Sequence, residues 1–268
     1  MFDAQHNSFS QCVAVFCVLC SSLHAAVVWP LTDADWVPLT TGGGTNLYQD
    51  VVDTNPDTTD IVGDSNFAAA HWHYQDNGTA STLDDQILFR IRINDQPNKD
   101  QGTWQIVLNT DADTGVDFVL QYDASGNPDA VELLASINEG PTIGDVTFDT
   151  DNPAWQTTST ADYIRWEDPT GDGSDVGGDG SDVFLDIGIP WTDFSAATGL
   201  DLGDSMSIGV TTGSSNQINK DVPLGQTTAS ATTTIFSDAV TIPEPSSVTL
   251  LALAGIILAW TRRKCLNN

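Results

Sequence analysis

The stretch Gln86-Ile-Leu-Phe-Arg-Ile-Arg-Ile93 sets Ile87, Phe89, Ile91 and Ile93 at alternate positions with Arg90 and Arg92 between them. Successive side chains of an extended strand point to opposite faces, so a period of two gathers these apolar residues on one face as no helix would. A half-buried strand is predicted, with the two arginines on its far face. Similar runs stand at 104–108, 116–122, 130–134, 163–166, 182–189 and 206–210, with weaker ones at 67–74 and 235–240. Gly, Asn, Asp and Pro separate them at the spacings of an antiparallel sandwich, so the expected fold is an all-β, antiparallel β-sandwich. Asp123-Ala-Ser-Gly-Asn127 reads as a hairpin turn, because Gly and Asn accept positive φ. One short helix is expected after Pro190, from Trp191 to Ala197. No repeat of fixed period occurs, and the Thr/Ser/Ala segment 227–234 fits either a stalk or a polar edge strand.

The two ends of the chain break this pattern. Residues 1–26 read as a signal peptide, with an apolar core from Cys12 to Cys20 followed by Ser21, Ser22, Ala25 and Ala26; its first residues hold no Lys or Arg. At the other end, Pro243 and Pro245 flank Glu244. Each proline fixes φ and lacks an N–H, so the β domain, 27–241, stops there. The tail, 242–268, then runs uncharged from Val248 to Trp260, a span of roughly 16 residues with its polar flanks, against the usual 17 to 25. Trp260 stands where an interfacial aromatic belongs, and Arg262, Arg263 and Lys264 follow at once. A single C-terminal transmembrane helix is therefore expected, with the basic cluster held in the cytoplasm and everything before Pro243 outside.

A Pro-Glu-Pro motif, a short apolar helix and a terminal basic cluster, in that order, resemble the PEP-CTERM sorting signal. The resemblance covers about the last tenth of the chain and implies export through the Sec translocon and processing by an exosortase, a membrane-embedded cysteine protease. Under it Pro243, Glu244 and Pro245 are a recognition motif in a substrate and not catalytic residues. A sortase motif is absent, and a GPI signal normally ends without a basic cluster.

Cysteine placement agrees with this plan, since Cys12, Cys17, Cys20 and Cys265 all lie in the end segments. The exported part has to rest on its core, with metal ions as a further support, and without disulfides. It is also strongly acidic. The chain carries 37 acidic and 8 basic residues, for a formal net charge of -29. Nucleic acid and anionic membranes would be repelled and cations attracted. A solvated acidic surface accounts for most of this charge. Asp far outnumbers Glu, however, and often stands beside Gly in loops, which suits oxygen ligation of Ca2+.

Three constellations invite chemistry. In Asn109-Thr-Asp111-Ala-Asp113-Thr-Gly115-Val-Asp117 oxygen side chains alternate around a Gly turn, as in a calcium loop, although Leu120 stands where an EF-hand needs its Glu. A hairpin rich in turn-forming Asp fits the same residues. The segment 168–182 repeats Asp with Gly, including Asp172, Asp175 and Asp179; such like charges imply either a mobile loop or one ordered by calcium. His71 and His73 share one strand face, as two zinc or copper ligands would, with Asp76 as the nearest third; a surface pair around a core Trp72 is the competing reading.

Tryptophan is frequent in the exported part. Trp155 in a loop and Trp166 on a strand are the candidates for a sugar-stacking platform, against core or edge packing. The series formed by residues 87–92, 104–113, 117–120 and 182–191 is similar to the ectodomains of PEP-CTERM proteins and to carbohydrate-binding family 9 and DOMON-type sandwiches. That likeness implies a binding module. No Gly-x-Ser-x-Gly elbow, His-Glu-x-x-His, phosphate loop or cysteine nucleophile occurs in the exported part. The expectation is a non-enzymatic surface or extracellular-matrix protein, structural or adhesive, with an exopolysaccharide as candidate partner. A carbohydrate-binding module is the alternative, and a glycoside hydrolase comes third.

Overall fold

The computed structural model describes residues 26–50, 59–79, 81–94, 102–167, 175–176, 182–214 and 216–244. Most of the signal segment, Pro245, the apolar run with Arg262, Arg263 and Lys264, and the aspartates Asp172 and Asp179 lie outside these residues. In chain order the strands are β1 (Val37–Pro38), β2 (Thr40–Thr41), β3 (Asn46–Leu47), β4 (Ala70–Gln75), β5 (Gln86–Ile93), β6 (Thr103–Asn109), β7 (Phe118–Asp123) and β8 (Ala130–Asn138). They continue with β9 (Thr147–Phe148), β10 (Trp155–Thr157), β11 (Ile164–Glu167) and β12 (Val183–Pro190). Helix α1 (Trp191–Thr198) precedes β13 (Ser205–Ser214), β14 (Gln217–Ile218) and β15 (Val240–Thr241). No helix among the described residues is long and apolar enough to cross a membrane.

Every strand pairing is antiparallel. A smaller sheet runs β1-β4-β5-β12-β11 and a larger one β10-β8-β7-β6-β13-β14-β9. Because β9 also pairs with β8, the larger sheet closes on itself as a barrel, where two open layers were expected. The cause is a second apolar face. Ile106, Leu120, Leu133 and Ile208 meet Phe89, Ile91 and Leu185 of the smaller sheet in one core. Val107, Val119 and Leu134 point the other way, and Ile143, Phe148, Ile218 and Ile235 cover them as a second core. Burying a side chain of this size contributes about 1.5–3 kcal/mol, so neither face of β6, β7 or β8 stays in water.

On the face of the second core, one end of the barrel is polar. Thr211, Gln105, Gln121, Glu132 and Gln156 stand in register on five neighbouring strands. Thr211 Oγ1 donates to Gln105 Oε1 at 3.2 Å, Gln105 Nε2 to Gln121 Oε1 at 3.2 Å, and Gln121 Nε2 to Glu132 Oε2 at 3.0 Å. Gln156 Nε2 reaches Glu132 Oε1 from the other side at 2.5 Å. The row satisfies buried amides that would otherwise cost free energy.

β5 departs from the sequence expectation, since Arg90 and Arg92 are nearly as buried as Phe89, Ile91 and Ile93 between which they stand. The leading segment 26–36 lies over this face of the smaller sheet: Val27 N–H donates to Asp162 O, Val28 N–H to Gln86 Oε1, and Arg165 Nη1 to Pro30 O. Beneath it His71, Arg90, Asp186 and Arg165 align across four strands. Asp186 accepts from Arg90 Nε at 2.6 Å and Nη2 at 2.9 Å, and from Arg165 Nε at 2.9 Å and Nη2 at 2.7 Å. Arg90 Nη1 reaches Asp33 at 2.5 Å, and Trp36 and Phe184 each lie 4.3 Å from its guanidinium carbon. Bidentate carboxylates and aromatic faces replace the water a buried guanidinium loses.

Three local expectations are corrected. Neither Gly126 nor Asn127 takes positive φ in the β7–β8 turn, which Asp123 Oδ1 closes by accepting from Ser125 N and Oγ. The segment 227–234 is neither stalk nor strand. It packs in turns against 142–144 through Ser230 O and Thr228 O and enters a 3-10 turn, Thr232–Ile235. The run 235–240 gives only the two-residue β15. Helix α1 does follow Pro190, and Gly199 at φ 75° ends it.

Candidate metal centre

β6 delivers Asn109 and β7 begins at Phe118, so the intervening turn is closed by their pairing, with Asp117 N–H donating to Leu108 O at 2.9 Å. Inside it the side chains build the backbone. Asn109 is 5% exposed; its Nδ2 donates to Asp113 O at 3.1 Å and Gly115 O at 3.0 Å, and its Oδ1 accepts from Ala112 N at 2.9 Å. Those bonds hold Ala112 at φ 63°, a left-handed conformation uncommon outside glycine. Asp111 Oδ1 accepts from Asp113 N at 3.0 Å and Asp113 Oδ1 from Gly115 N at 2.6 Å. Asp117 Oδ2 accepts from Thr110 N at 2.6 Å and Thr110 Oγ1 at 2.9 Å.

One oxygen of each aspartate is thereby fixed by an N–H, and the other has no donor among the described residues. Asp111, Asp113 and Asp117 each offer an oxygen within 4.8 Å of the other two, the one such group of three metal-binding side chains among the described residues. Asn109 is taken up in holding the loop.

Sequence spacing misses a fourth carboxylate. β8 pairs with β7 from Ala130 to Ala135, Ser136 N–H donates to Asp117 O, and the strand then carries Glu139 over the turn. A methyl group built on Gly115 would stand 2.5 Å from Glu139 Oε2. Partial desolvation first, and then the charges of Asp113, Asp117 and Asp111, push the Glu139 carboxyl above its ordinary value. The signal that could have found it is the hairpin register, because β8 runs back beside β7 and its far end has to return to the β6–β7 turn. Two carboxylates 4 Å apart repel by about 1 kcal/mol in bulk water and about 4 kcal/mol near a protein surface, so the three aspartates, with Glu139 beside them, favour a cation with hard oxygen preference.

The remaining candidates fall elsewhere. Of the segment 168–182 only Asp175, Val176 and Asp182 are described, and Asp182 is buried against Arg92 at 3.0 Å. His71 and His73 do share a face, but His73 Nδ1 lies 2.9 Å from Asp35 O and its Nε2 3.2 Å from Gln75 Oε1, and His71 sets its ring edge against Phe184. They form no group of three ligands with Asp76. Trp155 packs on Tyr163 at 5.3 Å and Trp166 on Trp104 at 6.0 Å, both edge-on and half-buried beside the main core. Pro243 and Glu244 are exposed directly after the fully buried Ile242. No family model, curated protein or solved structure matches the chain.

Proposed function

We propose that this chain is an exported surface or extracellular-matrix protein with a structural or adhesive role, whose β domain is rigidified by Ca2+ at the β6–β7 turn. The observation that carries the calcium reading is the convergence of Asp111, Asp113 and Asp117, each with one oxygen pinned by an N–H, beneath Glu139. Calcium would be taken by the unpinned oxygens, with the pinned ones keeping the loop in shape before the ion arrives. A cation there ties the end of β8 to the β6–β7 turn, doing for a domain without cysteine what a disulfide does elsewhere.

In this reading residues 1–26 direct the chain to the Sec translocon and are removed. The tail 242–268 then holds it in the membrane until an exosortase recognises Pro243, Glu244 and Pro245. Catalysis has no part in it. The test is thermal unfolding of the full chain with EDTA and then with saturating Ca2+. Calcium at 100 times its Kd raises stability by about 2.7 kcal/mol, a shift of about 5–11 °C in Tm for a domain of this size, and EDTA reverses it. An unchanged melting curve rejects the calcium site; mass spectrometry of both ends of the exported protein tests the sorting reading separately.

A further inference from the structure

The chain leaves the β domain at a sharp boundary. Ser237 N–H donates to Ile208 O and Asp238 N–H to Thr40 O, while the Asp238 carboxylate accepts from Gly43 N at 3.0 Å and Gly44 N at 2.7 Å. Val240 and Thr241 then pair with Met206 and Ser205. Ile242, fully buried in the main core, donates to Asp204 O and accepts from Gly203 N, each at 2.9 Å. Pro243 has no N–H with which to extend that ladder, so it ends there. Pro243 and Glu244 stand exposed at once, with Glu244 Oε1 3.2 Å from where a methyl group on Gly203 would stand.

The motif is therefore displayed while the residue before it is sealed. Resting on the sorting reading, we propose that the cut which removes the tail falls no earlier than the Ser246–Ser247 bond, so that Pro243, Glu244 and Pro245 stay on the mature chain. A protease takes its substrate as an extended strand and grips roughly four residues before the cut. Cutting after Pro243 would need Val240 to Pro243 in that grip, and cutting after Pro245 would need Ile242. Either way β15 or its buried neighbour has to leave the barrel, which breaks the Gly203 and Asp204 bonds and opens a hole in the main core. A cut after Ser246 is the first that leaves Ile242 in place. The tail is the last part of an exported chain to emerge, so β1 to β13 are already outside when it reaches the membrane.

Mass spectrometry of the exported protein reads the new C-terminus, which should be Ser246 or a later residue. A mature chain ending at Pro245 or earlier overturns this placement and leaves the sorting reading standing, whereas a tail recovered whole overturns both. Proteinase K, applied to the full chain in detergent micelles, gives a second measurement that needs no exosortase. Native protein should be cut in this region only at or beyond the Ser246–Ser247 bond. Ile242→Ala, which removes most of the anchor, should expose the bonds from Val240 to Pro245 and speed their cutting by about tenfold or more, with Ile242→Val in between. Cutting of the native protein before Ser246, or equal rates in all three proteins, overturns the proposal.

Discussion

Glu139 shows how one side chain can read with opposite sign in two measurements. A carboxyl held above its ordinary value takes up protons on folding, so its contribution to stability is greatest at low pH. It is lost as pH rises from the ordinary value of 4.5 through the raised folded value. Without calcium, Glu139→Gln should remove that loss and leave the protein slightly more stable at neutral pH. With calcium at the proposed site, the same change takes away a carboxylate charge beside the three aspartates and should weaken binding by about tenfold. Melting curves from pH 4 to 8, with and without the ion, read both effects. A variant that loses stability in EDTA, or binds calcium as the parent does, shows that the carboxylate does not belong to the cluster. Asp238 has the reverse sign, since the N–H groups of Gly44 and Gly43 hold its carboxyl below the ordinary range. Its contribution is therefore present at neutral pH and lost on acidification.

At the scale of strands, the smaller sheet is locked from outside by the row that centres on Asp186. Asp186→Ala leaves Arg90 and Arg165 buried without their shared carboxylate and should destabilise by about 3–5 kcal/mol. Urea unfolding measures it, and a loss under about 1 kcal/mol would mean that the aromatic faces of Trp36, Phe184 and Trp29 suffice. Here the limits of sequence reading are physical. Alternation places β5, β6, β7, β8 and β12 to within a few residues, because each buries a full inward face. It misses β9, β10 and β14, whose two or three residues are too few to show a period and are held by partners distant in sequence. It also sets Arg90 and Arg92 in water, since no local pattern shows that residues 26–36 return to cover them. The aspartates of the β6–β7 turn are legible for the opposite reason: their bonds span two to seven residues.

Across the whole molecule the prevailing influence is charge of one sign, with three of the five basic residues of the β domain drawn into ion pairs on the outer face of the smaller sheet. Arg90, Arg92 and Arg165 are paired inside the fold, so they do little to relieve the acidic surface. Without divalent ions, raising NaCl from 10 to 500 mM shortens the Debye length from about 30 Å to about 4 Å and should raise Tm by several degrees. A flat or falling Tm would show that the repulsion is already relieved by local pairing. Ile242 has a further consequence. It sits in the main core one residue before Pro243, stitched by Gly203 N–H to its O and by its own N–H to Asp204 O, behind a strand of only two ladder pairs. A pull on the tail of a tethered molecule would peel those few bonds one after another before any load reached the barrel, making β15 a mechanical fuse.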